Sequence, residues 1–127
     1  MRAARDVLFA YGTLMRGLPL HPLIEGRAEF VGAGSIRGRL VDLRGYPGAL
    51  PDIVGTIRGE VYRLRSPGLL AALDSAEGPE FRRCQTLVRL DDGLEVSAWV
   101  YWFDGSPGRG VLISGGDYRG HVTALRP

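Results

Sequence analysis

The chain of 127 residues contains no lysine and no asparagine. Without lysine it holds neither a Walker-type phosphate loop, which needs that ammonium on the phosphates, nor a Schiff-base nucleophile. All 16 basic residues are arginine, scattered among 14 acids, and this weighs against nucleic acid as a partner, since its binding proteins gather positive charge on one face. Cysteine is limited to Cys84, so no internal disulfide forms; with His21 and His121 as the two histidines there is no spaced set of metal ligands. No apolar run approaches the length of a membrane span. The segment Met1-Arg2-Ala3-Ala4-Arg5-Asp6 leads into an apolar run that Gly12 breaks before it reaches signal-peptide length. Gly32-Ala33-Gly34 falls short of a dinucleotide fingerprint because the next glycine, Gly38, comes one position late. The expectation is a cytoplasmic protein without metal or cofactor, one domain over residues 1–127, with its oligomeric state left open.

What is present reads mostly as strand. Val7 to Tyr11 is short and apolar and suits a strand buried on both faces. Gly17 to Ile24 leaves room for a short helix at most. Ala28 to Leu43 reads as extended, with Gly32, Gly34 and Gly38 as the bends or bulges that curl a sheet toward a barrel. Gly45-Tyr46-Pro47-Gly48 reads as a loop, and Val54 to Leu64 as strand. Ser66-Pro67 predicts a helix start, with serine as cap and proline at the first helical position, and Gly78-Pro79 predicts its end. Phe81 to Leu90 and Leu94 to Phe103, joined by Asp91-Asp92-Gly93, predict a hairpin. Its second arm is apolar on both faces, as in a central or barrel-lining strand. The Gly- and Ser-rich tail predicts little regular structure. Together these elements predict a small α+β domain around a curved mixed sheet or partial barrel.

Glu77 is the charge out of place. Leu69, Leu73 and Glu77 are spaced by four and so share one helix face, the face expected against the sheet. Glu77 also lies in the last turn, where the helix dipole disfavours a negative charge. Burial and dipole both push its pKa upward, toward a carboxyl that exchanges a proton near neutral pH. The alternative is a Glu77 that turns outward at the helix end or pairs with Arg82 or Arg83. Asp74 reads as a local partner, with a second catalytic carboxylate as the other option. His21 and His121 read as surface residues, Cys84 as a buried inert thiol, and Asp104 and Asp117 as loop acids. In Tyr11-Gly12-Thr13-Leu14, glycine after a buried strand permits a sharp turn whose N–H groups form a concavity for an anion. An ordinary tight turn capped by Thr13 is the plain reading of the same four residues.

Six segments in order, "LFAYGTLMRG", "IRGRLVDLRGYPGAL", "VGTIRGEVYRL", "LLAALDSAEG", "FRRCQTLVRLDDG" with "AWVYWF", and "ISGGDY", resemble the gamma-glutamylcyclotransferase-like superfamily. The similarity is to its branch of gamma-glutamylamine cyclotransferase and the AIG2-like proteins, and it covers most of the chain. It implies a mixed barrel-like sheet with short helices, no cofactor and no metal. It implies a small gamma-glutamyl compound as substrate, cyclised to 5-oxoproline with release of the amine. By the same resemblance Glu77 is the general acid and base, and Tyr11, Gly12, Thr13 and Leu14 form the loop that holds the glutamyl end. Tyr101 lines the cavity, Tyr46 and Tyr118 sit in loops that close it, and Arg83 is a structural partner. Phe81 departs from the tyrosine commonly found after the glutamate. A non-catalytic small-molecule binding protein using the same pocket is the rival reading. A small barrel for single-stranded nucleic acid, from the arginines and Trp99, Tyr101, Trp102 and Phe103, is a more remote one.

Overall fold

The structure, a computed structural model, describes residues 6–106 and 108–124; Met1-Arg2-Ala3-Ala4-Arg5, weighed above as a leader, lies outside the described residues. In chain order the elements are β1 (Val7–Ala10), β2 (Ala28–Arg37), β3 (Arg39–Asp42), β4 (Pro47–Leu50), β5 (Thr56–Leu64), α1 (Leu69–Glu77), β6 (Phe81–Leu90), β7 (Glu95–Phe103), β8 (Val111–Leu112) and α2 (Tyr118–Ala124). Single 3-10 turns stand at His21–Leu23 and Ser114–Gly116.

Five strands close on themselves. β1 pairs antiparallel with β5, β5 with β2, β2 with β6 and β6 with β7, and a parallel contact between Leu8 of β1 and Trp99 of β7 completes the ring. Closure explains why the four residues of β1 are all buried: the strand has neighbours on both edges and core on both faces. The glycines of the second segment act as expected. The register slips between Phe30 and Gly32, and Gly38, at φ +156°, turns the chain from β2 into β3, where a Cβ would come within 2.8 Å of Ile57 Cδ1. β4, β3 and β8 extend the sheet beyond the ring through the parallel pair Ala49 and Trp102. The result is the α+β, barrel-like mixed sheet that the sequence predicts.

Three local expectations differ from the structure. Pro47 and Gly48 belong to strand β4 rather than a loop; a Cβ on Gly48 would meet Leu43 Cδ1 at 2.8 Å and Phe103 Cβ at 2.9 Å, so that glycine serves close strand packing. Helix α1 starts at Leu69 behind Gly68, whose φ is +78°, and no side chain caps it. Ser66 instead accepts the Arg27 guanidinium at 3.4 Å on its hydroxyl, while its carbonyl takes the Leu69 N–H at 3.2 Å. The tail carries β8 and α2, because Ile113 and Tyr118 are buried in the same core as β1 and α1. Burial of those two side chains orders a segment whose glycines argue for coil. No described helix is long and apolar enough to cross a membrane.

Candidate functional site

A cavity of about 300 Å³ opens where the end of β1, the last turn of α1 and the turn between β3 and β4 meet. Phe9, Ala10, Tyr11, Gly12, Thr13, Leu14 and Leu20 form one part of its lining; Gly45, Tyr46, Pro47, Ala76, Glu77, Phe81 and Tyr101 form the rest. Glu77 reaches it because Leu69 and Leu73, each 1% exposed, fix the same helix face against the core two turns and one turn earlier. Gly78, at φ +87°, ends the helix immediately after and donates to the Asp74 carbonyl at 3.2 Å. Burial pushes the Glu77 carboxyl up from an ordinary 4.5 to about 7. No hydrogen bond or ion pair to a described residue holds it. Arg83, offered above as a partner for Glu77, pairs with Asp74 instead, through Nε at 2.8 Å and Nη2 at 3.2 Å.

Asp74 is thereby committed. Arg83 holds its carboxyl below the usual range and the Tyr101 hydroxyl donates to it at 2.7 Å, so it stays ionised and serves as a local partner. Arg83 in turn lies over the Trp99 ring at 4.3 Å. Tyr101, on β7, lines the cavity with its hydroxyl turned to the helix. Its pKa is raised, first by burial and then by Asp74.

The loop after β1 has an uneven use of its polar backbone. The Gly12 carbonyl accepts from Met15 N at 3.0 Å, that of Thr13 from Leu20 N at 2.8 Å, and that of Leu14 from His21 Nδ1 at 2.8 Å. A carbonyl only accepts, so Nδ1 of His21 carries a proton. The N–H groups of Gly12, Thr13 and Leu14 have no acceptor among the described residues, although Gly12 and Leu14 are buried and all three line the cavity. Backbone N–H groups without a protein acceptor are open to an anion or to water. Glycine at position 12 is required by space rather than by φ: a Cβ there would fall 2.6 Å from Pro47 Cγ. The Tyr11 hydroxyl, by contrast, is used up. It donates to the Tyr101 carbonyl at 2.5 Å and accepts from Ala49 N at 3.3 Å, and burial followed by the charge of Glu77 raises its pKa. Its side chain pins β1, β4 and β7 together and forms part of the cavity wall.

Tyr46 lines the cavity beside Phe81, their ring centroids 6.2 Å apart, and its hydroxyl takes a 3.2 Å hydrogen bond from Arg109, which also pairs with Glu80. Tyr118 corrects an expectation: it begins α2 rather than standing in a loop, and it does not line the cavity. Its hydroxyl donates to the Gly45 carbonyl at 3.3 Å and so supports the lining from behind. The two histidines are also not free surface groups, since both are half-buried and His121 Nε2 lies 2.9 Å from Asp42 Oδ2. Sequence reasoning missed Glu60 on β5, 3% exposed, with Arg16, Tyr62 and Arg119 around it. The signal was a carboxylate and a tyrosine two apart, and so on one face of the strand, in the buried stretch Gly59 to Tyr62. Among the described residues no three His, Cys, Asp or Glu side chains group as metal ligands.

Known proteins resemble this chain along nearly its whole length. A protein of Methanocaldococcus jannaschii, provisionally named a gamma-glutamylcyclotransferase, is 31% identical over 121 residues, 90% of this chain and 96% of that protein. The crystal structure of an uncharacterised Pyrococcus horikoshii protein superposes with a TM-score of 0.74 at 26% identity, over 95% of this chain and 98% of the other. That of an AIG2-like protein of Mus musculus also gives 0.74 at 26%, over 89% and 87%. Residues 8–120, from β1 through the start of α2 and including both the Tyr11 to Leu14 loop and Glu77, match the family described as gamma-glutamyl cyclotransferase, AIG2-like, and the chain belongs to that family.

Proposed function

We propose that the protein cyclises a gamma-glutamyl amide to 5-oxoproline, with Glu77 carrying the proton. The N–H groups of Gly12, Thr13 and Leu14 bind the substrate α-carboxylate. Ionised Glu77 takes a proton from the α-ammonium, and the freed amine attacks the γ-carbonyl of the same molecule. A C–N bond forms, and the proton held by Glu77 passes to the departing nitrogen as the amide C–N bond breaks. The second proton, shed by the ring nitrogen as it becomes the lactam N–H, goes by way of Glu77 to the released amine, which leaves as an ammonium, so the carboxylate is regenerated and no water is consumed. The reaction is intramolecular, so a cavity that holds amine and carbonyl in contact supplies much of the rate.

One observation carries this reading. A half-buried carboxyl with its pKa near 7 and no partner among the described residues shares a cavity with a loop whose N–H donors are unused. A pKa near the working pH suits a group that must both accept and return a proton. Family membership supports the reaction class but leaves the leaving group open among gamma-glutamylamines, gamma-glutamyl amino acids and similar amides.

The test is release of 5-oxoproline from a panel of gamma-glutamyl amines and dipeptides by the wild type and by Glu77→Gln. Glutamine keeps the shape and cannot cycle a proton, so kcat should fall by about 10²- to 10⁴-fold. For the wild type, kcat/KM should rise with pH through about 7 as the carboxylate forms. Equal activity of the two proteins would remove Glu77 from the chemistry. No turnover of any panel member, with one of them raising the melting temperature, would make this a binding pocket without catalysis.

A further inference from the structure

Glu60 lies outside the cavity lining, yet it is tied to the loop that forms one wall. Its Oε1 accepts the Arg16 N–H at 2.9 Å and the Tyr62 hydroxyl at 2.7 Å; its Oε2 accepts Arg119 Nη1 at 3.0 Å and Arg16 Nε at 3.4 Å. Arg119 Nη2 donates to the Arg16 carbonyl at 2.6 Å. Both peptide groups of Arg16, two residues beyond Leu14, are therefore held by one carboxylate and one guanidinium. Burial would raise the Glu60 pKa, but the Arg16 N–H, Tyr62 and Arg119 outweigh it and hold the carboxyl below its ordinary value, so it is ionised. A buried charge of this kind is a poor way to gain net stability, because an apolar side chain of the same size does as well. What the ion does add is direction: four donors converge on two oxygens from three separate segments of chain.

The second arm of the same device is α2. Arg119 reaches the loop that follows β1, while the adjacent Tyr118 donates to the carbonyl of Gly45 in the opposite part of the lining, and His121 contacts Asp42 at the end of β3. A helix of seven residues thus touches the support of both walls without entering the cavity.

We propose that Glu60 and Arg119 are positioning residues that hold the N–H donors of Gly12, Thr13 and Leu14 in register for the substrate carboxylate, with α2 as the brace between the cavity walls. The inference rests on the reaction proposed above for its kinetic readout, and on the loop geometry alone for its spectroscopic one. The donors hold the carboxylate alike in ground and transition states, so loosening them weakens substrate binding and leaves proton transfer at Glu77 intact. Such a change appears in KM and not in kcat.

The experiment compares the wild type, Glu60→Gln, Arg119→Gln and Arg119→Lys, with Arg65→Gln as a control that removes an exposed ion pair with Glu29 at the far end of β5 from the loop. The Arg119 side chain is 43% exposed, and on its replacement Glu60 keeps Arg16 and Tyr62, so this variant keeps the test available if Glu60→Gln folds poorly. Arg119→Gln should raise KM for the best panel substrate about tenfold with kcat within about twofold, the pattern of lost uniform binding. Arg119→Lys should fail to restore it, because a single ammonium cannot span carboxylate and carbonyl as the forked guanidinium does. In ¹⁵N–¹H spectra the amide signals of Gly12, Thr13 and Leu14 should move in Arg119→Gln and stay in Arg65→Gln. An unchanged KM, a loss confined to kcat, or amide signals that do not move would overturn the proposal. If the wild type turns over no panel member, the reaction proposed above fails by itself, and the amide signals alone decide whether the brace exists.

Discussion

Glu77 is an expensive residue for the fold, and the expense depends on pH in a calculable direction. Its folded-state pKa of about 7 lies above the ordinary 4.5, so the folded chain holds that proton more tightly than the unfolded chain does. The associated stability is fully present below about 4.5 and is lost as pH rises through about 7. With about 1.4 kcal/mol for each unit of difference, and some relief from water in the cavity mouth, ionising Glu77 costs the fold roughly 2 kcal/mol. Glu77→Gln removes that cost. In urea unfolding it should match the wild type at pH 4 and be more stable by roughly 2 kcal/mol at pH 8. A difference independent of pH would mean that the carboxyl is not desolvated. Stability and activity thus move in opposite directions at one residue, as expected where a site is built from a group the fold would rather not bury. Glu77 was legible in the sequence because its two stripe partners, Leu69 and Leu73, are local. Glu60 was not, since the arginines that justify its burial are 44 and 59 positions away.

At the scale of elements, the parts read correctly are those whose causes lie within a few residues. The β6–β7 hairpin turns at Asp91-Asp92-Gly93, where Gly93 has φ +94° and the Asp92 carboxylate accepts the Leu94 N–H at 2.9 Å. Helix α1 stops at Gly78 for an equally local reason. β4 and α2 were missed, because their reasons are packing: Gly48 lies against Leu43 and Phe103, and Tyr118 fills the core beside β1 and α1. The entry to α2 gives a direct check of that dependence. Gly116, at φ +65°, approaches β5 so closely that a Cβ would lie 1.9 Å from the Thr56 carbonyl oxygen, a backbone atom with no freedom to yield. Gly116→Ala should therefore destabilise the protein by about 2 to 4 kcal/mol, through strain and the displacement of α2, measured by thermal unfolding. A change under about 0.5 kcal/mol would show that α2 docks without that contact.

For the molecule as a whole, the main core cluster joins β1 residues, Leu69 and Leu73 of α1, Val100 and Trp102 of β7, and Ile113 and Tyr118 near the C-terminus. A core that takes side chains from the first strand to the last helix should unfold as one unit. Near-ultraviolet circular dichroism and tryptophan fluorescence, the latter reporting Trp99 and Trp102 on β7, should give coincident urea transitions. Separated transitions would divide residues 1–127 into more than one folding unit. Barrel closure itself rests on pairs distant in sequence, Leu8 with Trp99 and Val7 to Ala10 with Glu60 to Arg63. Such ladders order only when the loops between them close, so folding should be slow for the chain length.

The sequence by itself determined the local alphabet: strands from apolar alternation, the hairpin from its Asp-Gly turn, the end of α1 from Gly78, and the misplaced charge at Glu77 from the i, i+4 stripe. Those signals reach only as far as one turn or one pleat, and they were sufficient for a small α+β domain around a curved sheet or partial barrel; the family resemblance came from six segments in order along the chain. Only the tertiary structure decided which groups are left over. Among the described residues it satisfied the carbonyls of Gly12, Thr13 and Leu14 and left their N–H groups without acceptors, engaged Asp74 with Arg83 and left Glu77 without a hydrogen-bond or ion-pair partner, and closed Glu60 between two arginines. Whether a polar group is paired depends on what the rest of the chain brings to it, and that is settled by long-range packing rather than by its neighbours in sequence.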